Sequence, residues 1–158
     1  MSSAYAHHTR KLSALFDDMA RAEMKAAGKR LRKQLIKDDE TITDESIVDV
    51  CVTYDGTWSK RGYTANHGVG IVISVDTGEV LDFASLPKVC GECKKRKRHD
   101  PDDDTYKAWY ENHKHNCQQN YDGSSTSMET AIACILWERS LEMHNFRYRY
   151  MVCDGDSN

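Results

Sequence analysis

The chain has 158 residues, of which 39% are hydrophobic and 9% aromatic, so its length fits one domain and its composition excludes wholesale disorder. Its 22 Lys and Arg against 25 Asp and Glu give a net charge of −3, which neither favours nor excludes a nucleic-acid partner. No apolar run approaches the roughly 18 residues of a membrane helix, and the polar start lacks the apolar region of a secretory signal. We therefore expect a soluble intracellular protein, whose six Cys are more typical of metal binding than of disulfides.

The charges are segregated along the chain. Residues 10–37 hold nine basic and three acidic side chains, whereas residues 38–55 hold seven acidic and no basic ones. Five consecutive Lys and Arg at 94–98 are followed by an acidic group at 100–104. Basic stretches of this kind either contact phosphates or form solvated faces.

The first forty residues carry helical periodicity. Gly28 is a candidate break that would divide the segment into two helices. We predict a helical lead-in over residues 1–42, before the strand-forming part of the chain begins. Its apolar stripe at helical spacing consists of Leu12, Leu15, Phe16, Met19, Leu31 and Leu35.

Three strands are predicted in the middle of the chain. A β-branched run over residues 47–54 predicts a strand that stops at the turn pair Asp55-Gly56. Alternating apolar residues at 69–75 and 80–86, separated by a Gly-containing turn, predict a hairpin.

A helix and a last strand follow. Thr126 and Glu129 form a capping-box pattern for a helix that ends near Asn145, and residues 148–153 then form a strand. Because a strand, a helical crossover and a second strand close as a right-handed parallel pair, the first and last strands are predicted to be neighbours.

Cysteine and histidine cluster between the hairpin and this helix. A CxxC pair followed by an HxxxC pair supplies four nitrogen and sulfur ligands, which suits a structural, tetrahedral zinc ion. His99 and His115 compete for the imidazole position, although the four-residue helical spacing favours His113. The favoured ligand set is Cys90, Cys93, His113 and Cys117. The remaining Cys are expected to be small buried side chains, at Cys51, Cys134 and Cys153.

Two carboxylates end the first and last predicted strands. Asp55 and Asp154 each precede a Gly, and in a parallel pair both would lie at the same edge of the sheet. Carboxylates so placed repel one another unless a divalent cation such as Mg²⁺ or Mn²⁺ bridges them. Asp156 is a second candidate on the same loop.

Several ordered segments resemble the Mutator-like transposase domain. They are residues 52–62 (VTYDGTWSKRG), 123–129 (GSSTSME), 135–140 (ILWERS) and 147–157, which leads into DGDS. The Cys and His set falls between the first two segments, as it does in that family. The resemblance covers about residues 45–158, and the helical lead-in is also similar.

The resemblance implies an α/β fold with an RNase H-like core of βββαβ order, here over residues 43–158 with a zinc loop inserted at 88–122. It also implies metal-dependent DNA cleavage and strand transfer by three acids. Asp55 matches the first acid and Asp154 the second, with Asp156 as a lesser candidate. The third acid belongs to a later helix, beyond Asn158, so we expect this chain to be inactive alone.

The resemblance implies that the basic residues contact DNA phosphates. The basic run at 94–98 also has the composition of a nuclear-localisation signal. The resemblance implies a nuclear protein with DNA as its partner and no membrane, and homo-oligomers are compatible with it. The candidate DNA contacts are Lys60, Arg61, Lys94, Lys95, Arg96, Lys97 and Arg98.

Two other functions compete with a transposase fragment. One is a non-catalytic, zinc-stapled module derived from a transposon, which would bind DNA or protein. The other is a small redox or zinc-storage protein that uses its Cys.

Overall fold

The computed structural model describes residues 3–59, 65–96 and 104–152 of the chain. These residues form four α-helices, four β-strands and a 3₁₀ turn at Lys114–Asn116. The helices are α1 (Ser3–Asp38), α2 (Gly91–Arg96), α3 (Asp104–His113) and α4 (Ser125–His144), and the strands are β1 (Val48–Trp58), β2 (His67–Ser74), β3 (Val80–Pro87) and β4 (Phe146–Val152).

The strands form one mixed sheet in the order β3-β2-β1-β4. β1 and β4 are parallel, with Val48 opposite Phe146 and Thr53 opposite Val152, and a register shift lies between Val50 and Cys51. The predicted parallel pair, the predicted hairpin and the α/β class are therefore confirmed.

β1 does not stop at Asp55-Gly56, as the turn pair predicts, but continues to Trp58. Beyond the dipeptide the backbone still bonds to β2, since the Ser59 N–H donates to the His67 carbonyl at 3.0 Å. Gly56 also lacks the positive φ that such turns require. Pairing within the sheet thus overrides the local turn preference.

Two residues in the left-handed region end elements of the fold. Gly78 (φ 70°) lies in the turn between β2 and β3, where the Ser74 N–H donates to the Glu79 carbonyl at 2.9 Å. Asn145 (φ 53°) ends α4, and its N–H donates to Leu141 at 2.9 Å. Both residue types tolerate this conformation, which fixes the two chain reversals.

α1 is one uninterrupted helix, so the predicted break at Gly28 is wrong. A Cβ at this position would lie 2.3 Å from Nδ1 of His144. The glycine is therefore required for close packing against α4, and it does not end the helix.

The apolar stripe of α1 is buried only in its second half. Leu31 is fully buried and Leu35 half-buried, and the buried face begins at Met24. The members in the first half are exposed, namely Leu12, Leu15, Phe16 and Met19.

Two further local predictions need correction. Ser124, and not Thr126, caps α4, because its Oγ accepts a 3.0 Å hydrogen bond from the Ser127 N–H.

Cys134 is exposed and Cys51 is half-buried, so neither is a fully buried core residue. Cys153 lies outside the described residues.

The chain divides into two compact units. The first comprises Met1–Asp55, Ile71–Phe83 and Leu136–Asn158, and its core includes Leu31, Val52 and Phe146. The second comprises Gly56–Gly70 and Ala84–Ile135, and its core includes Cys90, Met128 and Ile132. Within the described ranges, no helix combines the length and apolar character needed to cross a membrane.

Candidate functional site

Four predicted zinc ligands come from three short elements of the second unit. Cys90 precedes α2, and Cys93 lies in the first turn of that helix. His113 is the last residue of α3, and Cys117 follows the 3₁₀ turn. The four-residue spacing predicts that His113 and Cys117 lie on one α-helix. The structure differs, because α3 ends at His113 and the 3₁₀ turn separates it from Cys117.

The ligand atoms of these four residues converge. All lie within 4.8 Å of one another, with 3.3 Å between Cys90 Sγ and His113 Nε2 and 3.6 Å between Cys93 Sγ and Cys117 Sγ. Zinc bonds of about 2.3 Å to sulfur and about 2.0 Å to nitrogen give a tetrahedron with edges of about 3.5–3.8 Å. The cluster therefore has the donor types and the size that suit zinc.

The surroundings of the cluster also fit a metal centre. Cys90, Cys93 and His113 are 1%, 5% and 8% exposed, whereas the competing His115 is exposed. Nδ1 of His113 lies 3.4 Å from a Glu92 carboxylate oxygen, the kind of partner that orients a metal-bound imidazole. His99 lies outside the described residues.

The two thiols of the CxxC pair differ in acidity. Burial raises the pKa of Cys90, but hydrogen bonds from the backbone N–H groups of Cys93 and Gln118, and from His113, outweigh it and bring the pKa to about 6. Burial and the neighbouring sulfurs raise the pKa of Cys93 to about 12. Adjacent thiolates repel one another, and a bound dication would remove that repulsion.

Of the candidate acids, the structure describes Asp55 and not Asp154 or Asp156. Asp55 is exposed and lies near the end of β1. The parallel register of β1 and β4 extends to Thr53 and Val152, and each of Asp55 and Asp154 comes two positions later in the chain.

The candidate DNA contacts are only partly described. Lys94, Lys95 and Arg96 are exposed on α2, and the Arg96 guanidinium lies 5.1 Å from the ring centre of Trp109. The remaining candidates lie outside the described residues, namely Lys60, Arg61, Lys97 and Arg98.

A buried ion pair that no sequence motif indicated joins α4 to β3. Asp82 is fully buried, and it accepts hydrogen bonds from Arg139 Nε at 2.5 Å and Nη2 at 2.7 Å. Trp137, two residues before Arg139 in the chain, donates from Nε1 to the Tyr148 carbonyl at 2.9 Å. Trp137 and Arg139 both belong to the segment 135–140. The sequence feature that could have indicated the ion pair is Asp82, an acid at the centre of an apolar strand.

The sheet, its helical crossover and the Cys₃His cluster define an α/β protein with a candidate metal-binding segment. The family model of the Mutator-like transposase matches residues 1–158, the whole chain, so the protein belongs to the Mutator-like transposase family. The resemblance carried by the sequence motifs is therefore confirmed. Comparison with curated proteins and with solved structures gives no match.

Proposed function

We propose that this chain is a fragment of a Mutator-like DNA transposase catalytic domain, with residues 1–42 as a helical lead-in and 43–158 as an RNase H-like part. The observation that carries the proposal is the parallel pairing of β1 with β4 across the helix α4. The strand order β3-β2-β1-β4 across the sheet is compatible with such a core. Along the chain, β1 is followed by the β2–β3 hairpin, and α4 then leads to β4.

Asp55 and Asp154 would hold the catalytic cation. Each comes two positions in the chain after the last residue that pairs β1 with β4, Thr53 for Asp55 and Val152 for Asp154, and this common offset supports the pairing of the two acids. Asp156 is the alternative second acid. A bound Mg²⁺ or Mn²⁺ would activate water or a 3′-hydroxyl for attack on a phosphodiester.

The Cys₃His cluster would hold zinc in a structural role. Four protein ligands complete a tetrahedron and leave no position for a substrate. The metal would instead hold α2 and α3 together across the insertion at 88–122, in which the cluster supplies much of the buried side-chain material.

DNA is the proposed partner, and the nucleus the proposed site of action. The exposed Lys94, Lys95 and Arg96 would contact phosphates from α2, together with Lys60, Arg61, Lys97 and Arg98. These contacts carry no sequence information directly, so they would position the DNA and not select its sequence.

Metal titration tests the acidic site. We expect Mn²⁺ to bind the zinc-loaded chain, and Asp55→Asn to weaken that binding about tenfold or more, because a direct carboxylate ligand is lost. Asp76→Asn, which changes an exposed acid in the β2–β3 turn, is the matched control and should leave binding unchanged. Equal Mn²⁺ affinity in Asp55→Asn and the unmodified chain would contradict the proposed site.

A plasmid-nicking assay with Mn²⁺ tests the expected activity of this segment. Two candidate acids form an incomplete two-metal site, so we expect no nicking by the chain alone. Nicking that depends on Asp55 would overturn that expectation. DNA binding without any Mn²⁺ binding would favour the alternative, a non-catalytic module derived from a transposon.

A further inference from the structure

The first half of α1 presents an exposed apolar face. Four large side chains cover it, with Leu12 and Leu15 each 54% exposed, Phe16 65% and Met19 58%. Tyr5, two turns before Leu12, is 63% exposed. Such contiguous apolar surface on a helix is typical of a contact with another helix.

The spacing of this N-terminal apolar face matches a coiled coil. Tyr5, Leu12 and Met19 are seven residues apart, and Leu15 follows Leu12 by three, so they occupy the a and d positions of a heptad. At a rise of about 1.5 Å per residue, the face runs along about 21 Å of helix.

The charges beside the face specify the direction of pairing. Lys11 and Asp18 immediately precede Leu12 and Met19, so both flank the face on the same side, and both are exposed. In an antiparallel pair with its two-fold axis between residues 14 and 15, Lys11 of each copy lies opposite Asp18 of the other. In a parallel pair these positions lie on opposite sides of the seam, so Lys11 of one copy and Asp18 of the other could not pair.

We propose that the N-terminal apolar face binds the same face of a second copy of this chain as an antiparallel helix pair. Leu12 of one copy packs against Leu15 of the other, and Lys11 lies beside Asp18 at both ends of the contact. The contact is symmetric, as two-fold dimers require, and it is independent of the proposed transposase activity.

Sedimentation of the whole zinc-loaded chain over a concentration series tests the proposal. We expect a monomer–dimer equilibrium, and Leu15→Lys should raise the dimer Kd about tenfold or more, as the loss of an interface anchor does. Val75→Lys, at an apolar side chain that is 48% exposed in the β2–β3 turn, is the matched control and should leave the Kd unchanged. A monomer at every concentration, or a dimer that Leu15→Lys does not weaken, would overturn the proposal.

Charge exchange tests the antiparallel register. Lys11→Glu alone and Asp18→Lys alone should each weaken self-association, because each places like charges opposite one another twice. A mixture of the two variants should form a heterodimer with a lower Kd than either homodimer, because both contacts become attractive. Absence of this recovery would overturn the antiparallel pairing.

Discussion

Gly28 shows how one residue can be fixed by its neighbour and not by its own helix. His144 cannot easily retreat from a Cβ at residue 28, because its Nε2 lies 3.1 Å from the Leu81 carbonyl and its ring stacks on Phe146. Gly28→Ala should therefore lower the free energy of unfolding by about 1–2 kcal/mol, although the helix propensity of Ala exceeds that of Gly by about 1 kcal/mol. Urea denaturation measures the difference.

The control for this prediction is the same substitution in a His144→Ala background. Without the imidazole the overlap disappears, and Gly28→Ala should then be neutral or stabilising. A stabilising effect of Gly28→Ala in the unmodified chain would show that the packing at His144 is looser than described.

The buried imidazole of His144 also makes stability depend on pH. Burial lowers the pKa of His144 below its ordinary value, and the Leu81 carbonyl only partly opposes this. Below about pH 6.5 the unfolded chain takes up a proton that the folded chain resists. The contribution of the neutral imidazole is therefore present above this pH and is lost as the pH falls.

His144→Gln should make the chain less sensitive to acid between pH 7.5 and 5.5. The measurement is the free energy of unfolding of both proteins at the two pH values. The loss on acidification should be smaller in the variant, since the other titrating groups are common to both. Equal losses would contradict a neutral, buried His144.

At the scale of elements, the Asp82–Arg139 pair joins α4 to β3. Arg139→Met should destabilise the fold by about 3–5 kcal/mol, because it leaves the fully buried Asp82 carboxylate without its cation. The double variant Asp82→Leu/Arg139→Met should recover most of this loss in urea denaturation. A cost below about 1 kcal/mol for Arg139→Met would mean that the pair does not hold the two elements together.

The insertion containing α2 and α3 should depend on metal. Elemental analysis should find one zinc per chain, and Cys93→Ser should lose it, because three ligands hold zinc less tightly than four. Cys134→Ser is the matched control, since Cys134 is exposed and outside the cluster. Zinc retained in Cys93→Ser, or helical content unchanged by a chelator, would contradict a structural metal here.

The alternation of predicted strands and helices contained much of the fold of the whole molecule. The order of one strand, a hairpin, a helix and a last strand predicted that β1 and β4 are parallel neighbours, which the register of Val48 with Phe146 confirms. The CxxC and HxxxC spacings likewise indicated a cluster whose ligand atoms do converge. The order of the elements and the spacing of the Cys and His residues are both visible in a single sequence, so these two features could be predicted from it.

Other features depend on contacts that local patterns do not contain. The sheet carries β1 through Asp55-Gly56, and close packing against His144 explains Gly28 inside α1. In the sequence, Asp82 only interrupts an apolar strand, because its partner Arg139 is 57 positions away in the chain. The partners of Gly28 and Asp82 lie far away in the sequence, and the turn preference of Asp55-Gly56 contains no information about its pairing with β2.

The central proposal is that a divalent cation binds next to the last paired residues of β1 and β4, Thr53 and Val152. Paramagnetic broadening of backbone amide signals by substoichiometric Mn²⁺ tests it most directly. The amide of Asp55 and those of the nearby paired residues Thr53 and Val152 should broaden before the others, and Asp55→Asn should remove this effect. Broadening that begins elsewhere, or that persists at these residues in Asp55→Asn, would contradict it.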